Sequence, residues 1–399
     1  MKSLSIKRLF CLGICSLLSS TTFAESTLDT LKSQIDQQSK AIEELKERLK
    51  ETESKIETTA DMVESSPTAQ SKTVIGGYGE LHYNNLNGSG GASDKTQIDF
   101  HRFVLFFSHK YSDSVRFVSE FELEHALVKD TAAGTNGGEV ELEQAYIDFT
   151  LNQNMNLKAG VFLLPIGILN ETHEPPTFYG VERNPVEKNI LPTTWWEAGV
   201  GLSGRAGEYF SYDLAITSGL STTSGSSYAV RSGRQKVANA SAEDLAFTAG
   251  LKWMPKTNLT WAFAYQNQSD VTQGSDAAAG SASLIETHIV YNISKFTIKA
   301  LYANWSLSGT GPDTAGSDEQ SGFYLEPSYR ISDKWGVFTR YNVYDNKAGA
   351  SSTSEKKQFD LGVNYWPHEN VVIKMDYQSQ DNEDNKDQKG FNLGVGYQF

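Results

Sequence analysis

Apolar and polar residues alternate with a period of two through most of the chain from residue 74 onward. Close to the carboxyl terminus, Phe391, Leu393, Val395, Tyr397 and Phe399 alternate with small or polar residues. Successive side chains of a β-strand point to opposite faces, so this period places the two kinds of residue on different faces. The pattern predicts strands with one apolar, aromatic face and one polar face.

Sixteen segments carry this alternation, and the connections between them are alternately short and long. The segments lie near residues 74–84, 97–109, 114–128, 139–150, 154–164, 195–205, 208–218, 245–254, 257–267, 283–293, 295–306, 321–331, 334–344, 357–366, 370–380 and 389–399. Short turns and long outer loops are typical of outer-membrane barrels, and sixteen strands enclose an aqueous lumen. We therefore predict an all-β transmembrane barrel of about sixteen antiparallel strands over residues 74–399. Aromatic girdles are expected at Trp253, Trp335, Tyr365 and Trp366.

A different period precedes the barrel, between residues 28 and 63. Apolar residues occupy the a positions of a heptad repeat, at Leu28, Ile35, Ile42, Leu49, Ile56 and Val63. Such a seam predicts an N-terminal α-helical coiled coil over residues 25–64, and Gln38 at a d position favours a trimer. The alternative is a single solvated helix that serves as a tether. Residues 65–73, rich in serine with one proline, are expected to form a linker.

The first 24 residues have the three parts of a secretory signal peptide. Lys2, Lys7 and Arg8 are the positive segment, Leu9–Leu18 the apolar segment, and cleavage is expected after Ala24. Both cysteines, Cys11 and Cys15, lie within this segment. The mature chain is therefore expected to contain no disulfide and no reactive thiol.

Composition narrows the class of membrane protein. The chain has a net charge of −14, a mean hydropathy of −0.42 and 39% hydrophobic residues. After residue 24 no apolar run approaches the roughly 20 residues that a membrane helix requires. A transmembrane barrel has this composition because only alternate strand residues face lipid. A soluble all-β protein would explain the alternation, but not its combination with a signal peptide and alternating long loops.

The long connection 165–194 contains the charges expected at a pore constriction. Its five prolines would stiffen a loop that folds inward and narrows the lumen. The candidate constriction residues are Glu171, His173, Glu174, Glu182, Arg183, Glu187 and Lys188. The alternative is a surface loop with a solvated mixture of charges.

Strand alternation also predicts charged side chains on the lumen face. The basic candidates are Arg116, Lys158, Lys252, Lys299, Arg330, Arg340 and Lys374. Most lie close to a short turn, so they are expected to form a basic belt in the periplasmic half, with Glu120, Glu122 and Glu124 further up their strand. The belt predicts an anion-binding inner half, and a balanced charge lining is the alternative. Segments 97–109 and 139–150 have ambiguous alternation, so no lining residue is assigned to them.

Catalytic and metal chemistry is not indicated. The seven histidines show no metal-ligand spacing on a shared element, and no nucleophile has an evident histidine partner. The group Glu120, Glu122, Glu124 and His125 is better explained as a polar lumen face. We expect a protein without enzymatic activity, cofactor, metal or nucleic-acid partner.

Four segments resemble the phosphate-selective porin O and P family. They are Leu163–Thr172, Pro176–Arg183, Gln144–Asp148 and Trp196–Gly204. The resemblance covers roughly residues 74–399 and implies a trimeric sixteen-stranded barrel whose third loop folds into the pore. Together with the coiled coil, it implies a subgroup that takes up small anions such as dicarboxylates. The family's phosphate specificity rests on ladders of arginine and lysine, and no such ladder can be placed here.

We therefore expect an outer-membrane porin that is secreted to the periplasm and then inserted into the outer membrane. Its expected function is passive diffusion of small hydrophilic solutes, and anions are a candidate class. Its expected partners are outer-membrane lipid, lipopolysaccharide and two further copies of the chain. The alternative function is an envelope tether whose coiled coil contacts peptidoglycan or periplasmic partners.

Overall fold

A computed structural model describes residues 72–131, 134–351 and 354–399. The compact barrel unit spans Ile75–Phe399. The predicted signal peptide, the coiled coil and nearly all of the linker lie outside the described residues. Among the helices of the described residues, none is long and apolar enough to cross a membrane.

Sixteen antiparallel strands form a closed barrel, which confirms the predicted fold class. The strands of the described residues are β1 (Thr73–Gly88), β2 (Lys95–Ser112), β3 (Val115–Glu124), β4 (Val128–Thr131), β5 (Gly134–Gly137), β6 (Val140–Asn152), β7 (Met155–Leu163), β8 (Trp196–Ala206), β9 (Phe210–Thr217), β10 (Ala246–Lys256), β11 (Leu259–Gln268), β12 (Ala282–Ile293), β13 (Phe296–Leu307), β14 (Glu319–Arg330), β15 (Trp335–Asp345), β16 (Lys356–His368), β17 (Val371–Gln380) and β18 (Gln388–Gln398). Sequence neighbours pair around the barrel, except that β3 pairs with β6.

The first and last strands close the barrel. β1 and β18 are antiparallel, with registers that run from Tyr78 opposite Gln398 to Gly88 opposite Gln388. Beyond the Tyr78–Gln398 pair, Gly77 N donates to Phe399 O at 2.9 Å and Phe399 N donates to Gly77 O at 2.8 Å. A Cβ at Gly77 would lie 2.3 Å from Val104 O, so the close approach of β1 to β2 requires glycine there. Closure leaves no exposed strand edge, as a membrane barrel requires.

The two faces of the strands differ as the alternation predicts. On β18, Phe391 and Leu393 are 51% and 44% exposed on the outer face, whereas Asn392 between them is 1% exposed. An apolar outer face of this kind is stabilised by lipid. Trp335 and Tyr365 pack on this side, with ring centroids 4.5 Å apart. Trp366 was expected in the same girdle, and this was wrong: its side chain is buried and donates to Pro176 O.

Several long connections contain structure that alternation could not predict. β3 ends at Glu124, not at residue 128, because His125 and Ala126 adopt positive φ angles of 55° and 53°. The small β4–β5 hairpin follows. Short helices lie in other loops: α1 (Pro185–Asn189), α2 (Thr310–Ala315), and the 3₁₀ turns Pro175–Thr177, Ser224–Ser226 and Val230–Gly233.

Candidate functional site

The connection between β7 and β8, residues 164–195, is closed at its base by Asn170. The Asn170 side chain donates to Leu164 O at 2.7 Å and to Trp195 O at 2.9 Å. Its Oδ1 accepts from Trp195 N at 2.7 Å. One buried amide therefore joins the beginning and the end of the loop, and fixes the direction in which the loop leaves the wall.

The same loop packs against inward-facing side chains of the barrel. Trp305 Nε1 of β13 donates to Ile190 O at 2.9 Å, and the Tyr324 hydroxyl of β14 donates to Glu187 at 2.7 Å. Val181 N donates to Asp376 of β17 at 2.6 Å. These contacts with three strands hold the loop against the inner wall.

A second connection, between β9 and β10, also lies against the first loop. Arg231 donates to the backbone carbonyls of Lys188 and Thr193, and Arg234 donates to Thr194 O. Val230 N donates to Gln320 of β14 at 3.2 Å. The arginines of one loop thus bind the backbone of the other.

Between the loops and the wall lies a cavity of about 400 Å³ with charges of opposite sign. Strands β1–β3 and the entry to β6 contribute mainly carboxylates and imidazoles: Glu80, His82, Asp99, His101, Glu124, His125, Glu139 and Glu141. The loops contribute Glu182 and the cations Arg183, Lys188, Arg231, Arg234 and Lys236. The cavity therefore has an acidic, histidine-rich side and a basic side.

The carboxylates of the wall are largely neutralised by neighbouring cations. Arg102 contacts Glu80 at 2.8 Å and Glu122 at 3.6 Å, and all three side chains are buried. Lys236 forms ion pairs with Glu139 and Glu141. Buried carboxylates require such partners, because an unpaired buried charge is strongly destabilising.

The arginines of the loops have a different environment. Arg231 and Arg234 are held by backbone carbonyls, which fix a guanidinium without cancelling its charge. Nε and Nη2 of Arg183 and Nε of Arg234 are buried atoms that have no hydrogen-bond partner among the described residues. Burial, reinforced by Arg234 and Arg183, lowers the pKa of Arg231 to about 10. The arrangement concentrates positive charge and leaves hydrogen-bond donors unused.

The residues expected at the constriction have different surroundings. Glu182, Arg183 and Lys188 line the cavity. Glu171 forms an ion pair with Lys252 at 2.9 Å, and the Glu174 carbonyl accepts from Thr177 N in a 3₁₀ turn. Glu187 is buried and accepts hydrogen bonds from Ile168 N and Leu169 N, so it stabilises the loop itself.

His173 joins the loop to the wall. Its Nε2 lies 3.3 Å from Glu120 on β3 and 3.7 Å from Glu143 on β6. Burial disfavours the charged imidazole, but the nearby carboxylates of Glu120 and Glu143 outweigh it and raise the pKa of His173 to about 9. A protonated His173 therefore connects the inward loop to two strands near neutral pH.

The residues of the predicted basic belt mostly have partners. Arg340 binds Glu326 and Asp360, both at 3.1 Å, and Arg116 binds Asp148 at 2.9 Å. Others lie over aromatic rings: Lys374 over Phe178 at 3.5 Å, Arg330 over Trp366 at 3.8 Å and Lys158 over Phe162 at 5.3 Å. Lys299 stands opposite Glu326 in the β13–β14 register. Among the acidic candidates, Glu120 and Glu122 are buried and Glu124 lines the cavity.

Sequence reasoning missed two groups of cavity residues. Arg231 and Arg234 were not assigned, although two arginines three residues apart in a glycine- and serine-rich loop are a usable signal. Glu141, Asp99, His101 and Arg102 lie on the two segments with ambiguous alternation. The pairing of β2 with β3, and of β3 with β6, resolves that ambiguity.

A closed sixteen-stranded barrel with inward-folded loops and a charged internal cavity defines the porin class of outer-membrane channels. A sequence model of the family described as phosphate-selective porin O and P matches residues 75–399. The chain belongs to this family. It is an outer-membrane porin that forms a water-filled channel for solute diffusion.

The chain is similar to one protein in sequence and to two solved structures in fold. An uncharacterized protein of Aquifex aeolicus (strain VF5) is 32% identical over 363 residues, which cover 82% of this chain and 79% of the relative. An anion-selective porin from Comamonas acidovorans has a similar fold, with a TM-score of 0.56, 11% identity, and coverage of 82% and 99% of the two chains. A trimer form of in-vitro folded OmpT from Vibrio cholerae gives a TM-score of 0.52 at 11% identity, with coverage of 82% and 99%. The last two show similarity of fold alone.

Proposed function

We propose that the channel favours small anions, which pass between the arginines of the inward loops and the neutralised carboxylate wall. The observation that carries the proposal is the environment of Arg183, Arg231 and Arg234. Their charges have no carboxylate within ion-pair distance among the described residues, and three of their nitrogen atoms have no hydrogen-bond partner. Guanidinium groups that keep their charge attract carboxylates and phosphates, and their accessible donors bind these anions in charge-assisted hydrogen bonds.

Residues 165–194 form the constriction in this proposal. In a narrow pore a few fixed charges decide which ions enter. Glu182, Arg183 and Lys188 are the residues of this loop that we expect to contact solutes, because they line the cavity. The belt residues Lys158, Lys299 and Arg330 would guide anions in the periplasmic half, whereas Arg340 and Arg116 are already paired.

The proposed assembly is a homotrimer in outer-membrane lipid and lipopolysaccharide, and the channel is proposed to act without catalysis. The heptad pattern of residues 28–63 supports a trimer, and so does the trimer form of the structurally similar OmpT. Attachment to peptidoglycan through the N-terminal segment is the second role of that segment to test. Deleting residues 25–66 should leave conduction intact while changing assembly or envelope attachment.

The test of the selectivity is electrical. Purified full-length protein is inserted into a planar bilayer, and the reversal potential is measured under a KCl gradient. A reversal potential of the sign set by chloride supports the proposal. One of the sign set by potassium would overturn it and would place the acidic wall in control. Liposome uptake of a dicarboxylate, compared with that of a neutral solute of the same size, gives a second, independent readout.

A further inference from the structure

Three histidines lie together on the acidic side of the cavity, on different strands or strand ends. The rings of His82 on β1 and His101 on β2 are stacked, with centroids 4.6 Å apart and planes inclined by 17°. The ring of His125, after β3, meets His101 edge-on at 5.5 Å. All three line the cavity, next to Asp99 and Glu182. The proposed role of the arginines, which is to attract anions, does not explain why three imidazoles lie together on the opposite side of the cavity.

We propose that His82, His101 and Glu182 form a binding site for a divalent transition-metal ion, such as Zn²⁺ or Cu²⁺, in the wall of the pore. One ligand atom from each residue lies within 4.8 Å of the other two. Imidazole nitrogen and carboxylate oxygen are common ligands of these ions. Two imidazoles exclude Mg²⁺ and Ca²⁺ as preferred occupants, because those ions select oxygen ligands.

Each histidine has a carboxylate on one ring nitrogen. His82 Nε2 lies 3.1 Å from Glu80, and His101 Nδ1 lies 3.1 Å from Asp99. Metal-binding histidines commonly donate their second N–H to a carboxylate, which fixes the tautomer and makes the other nitrogen a stronger ligand. These contacts leave Nδ1 of His82 and Nε2 of His101 as the candidate ligand atoms, and one ring would have to rotate out of the stack for both lone pairs to meet at one ion.

The remaining nitrogen of His82 faces the carboxylate of Glu182. His82 is 3% exposed, and its Nδ1 is a buried atom without a hydrogen bond among the described residues. Its nearest carboxylate oxygen is Oε1 of Glu182, at 3.4 Å. Ligand atoms of a tetrahedral zinc with bonds of about 2.1 Å lie about 3.4 Å apart. This edge of the site is already at the spacing that a metal requires.

The fourth position would face the cavity. Three protein ligands and one open position leave room for water or for a passing anion. Lys95 lies 3.8 Å from Glu182 but is partly exposed, so its side chain can move away from a bound cation. Binding would join the loop residue Glu182 to β1 and β2 and would add positive charge opposite Arg231 and Arg234. We expect lower conductance and a stronger preference for anions.

A second set, Asp99, His101 and His125, shares His101 and competes for the ion. In that set both histidines place Nδ1 on Asp99, with His125 at 2.8 Å, and the His125 side chain is 41% exposed. The set therefore uses Asp99 as the partner of two imidazoles and has no unpaired buried nitrogen. This difference favours the His82 set and can be tested directly.

The first experiment is calorimetric titration of purified full-length protein with Zn²⁺, in parallel with the variants His101→Gln, Glu182→Gln, His125→Gln and His288→Gln. His288→Gln is the matched control, because His288 forms a similar buried pair with Glu286 at 2.8 Å and is not a member of the proposed site. We expect one site per chain. His101→Gln and Glu182→Gln should each weaken binding by at least the roughly 10–100-fold that loss of an outer-sphere partner costs, whereas His125→Gln and His288→Gln should have little effect. Circular dichroism verifies that each variant is folded.

Weak binding that no variant changes would mean an adventitious ion only and would overturn the proposal. Loss of binding in His125→Gln but not in Glu182→Gln would overturn the assigned ligands in favour of the second set. Electron paramagnetic resonance of bound Cu²⁺ provides a readout independent of conduction: hyperfine coupling to two nitrogens is expected, and its absence would contradict the site. Zn²⁺ added to a single channel should lower its conductance reversibly in wild type but not in Glu182→Gln.

Discussion

The strand wall and the inward loops fix charged side chains in different ways. On the wall, Arg102 is bound to the carboxylates of Glu80 and Glu122, and Arg340 to those of Glu326 and Asp360. In the loops, Arg231 and Arg234 are bound to backbone carbonyls. An ion pair cancels charge, whereas a carbonyl only orients it. Arg102 and Arg340 are therefore neutralised within the wall, whereas the charges of Arg231 and Arg234 are the ones that we propose to act on solutes.

The difference follows from geometry. Neighbouring strands place side chains of the same face opposite each other at regular spacing, so opposite charges meet across a strand pair. Arg340, for example, stands opposite Asp360 in the β15–β16 register. Loops lack this regular pairing, and their polar side chains commonly bond to nearby backbone groups. A barrel can thus keep a neutral wall while its loops supply the net charge of the pore.

The largest expected effect is on the double variant Arg231→Gln/Arg234→Gln. Coulomb's law gives roughly 1 kcal/mol per charge for an anion about 10 Å away in a partly aqueous pore, so removal of two charges costs the anion about 2 kcal/mol and lowers its permeability about thirtyfold. The reversal potential under a KCl gradient should move toward potassium. Arg205→Gln, at the exposed end of β8, is the matched control. A double variant that remains as anion-selective as wild type would remove the proposed distinction between loop and wall charges.

The second prediction concerns the attachment of the first loop. Asn170→Ala removes the acceptor of the buried Trp195 N–H, which costs about 1–2 kcal/mol and should lower protection from hydrogen exchange in residues 164–195 about tenfold. Conductance should become larger and noisier as the loop leaves the wall. Asn258→Ala, which removes an exposed hydrogen bond at a short turn, should change neither quantity. Unchanged protection in Asn170→Ala would show that the wall contacts alone hold the loop.

The fold could be predicted from the sequence to a large extent. A barrel in lipid requires strands with alternating apolar and polar residues, joined alternately by short turns and long loops, and both features are visible in the sequence. Where the prediction failed, a local backbone conformation or an inward contact overrode the pattern. His125 and Ala126 end β3 through positive φ angles. Trp366 is an aromatic residue near a strand end, as girdle residues are, but its hydrogen bond to Pro176 O attaches it to the inward loop.

The site was less predictable, because its residues meet through loop conformation and cross-strand pairing. The loop 165–194 was identified by its prolines and charges, yet the sequence did not distinguish Glu182, which lines the cavity, from Glu187, which is buried. Arg231 and Arg234 reach the cavity only because their own loop folds onto the first one. Strands β2 and β6 needed the register with β3 before their inward residues could be named.

The third prediction tests the link between loop and wall. The pKa of His173 is about 9, above the roughly 6.5 of an unfolded histidine. The contribution of protonated His173 to the stability of the attached loop is therefore complete below about pH 6.5 and is lost as pH rises through 9. Glu120 and Glu143 favour the charged form of His173, and Arg183 opposes it. The ring of Tyr78 packs edge-on against the imidazole, with ring centroids 5.8 Å apart. Protection of residues 164–195, corrected for intrinsic exchange, should fall several-fold between pH 7 and 9.5.

His173→Gln is the control for this pH dependence. The protection of the variant should be lower than that of wild type at pH 7 and should not change between pH 7 and 9.5, because its amide does not titrate in this range. An equal pH dependence in wild type and His173→Gln would assign the effect to another group and would separate the loop from the Glu120 and Glu143 pair.

The smallest effect is expected at a charge that already has a partner. Lys252 contacts Glu171 at 2.9 Å, and both side chains are about one-third exposed. Exposed pairs contribute about 0–1 kcal/mol, so Lys252→Gln should leave thermal stability nearly unchanged and move the permeability ratio less than about twofold. The double variant Lys252→Gln/Glu171→Gln should restore even that difference, because the two charges cancel. A shift in Lys252→Gln as large as that of the arginine double variant would mean that paired belt charges also reach the solute. The selectivity of the channel would then depend on total charge, and no longer on which charges lack a carboxylate.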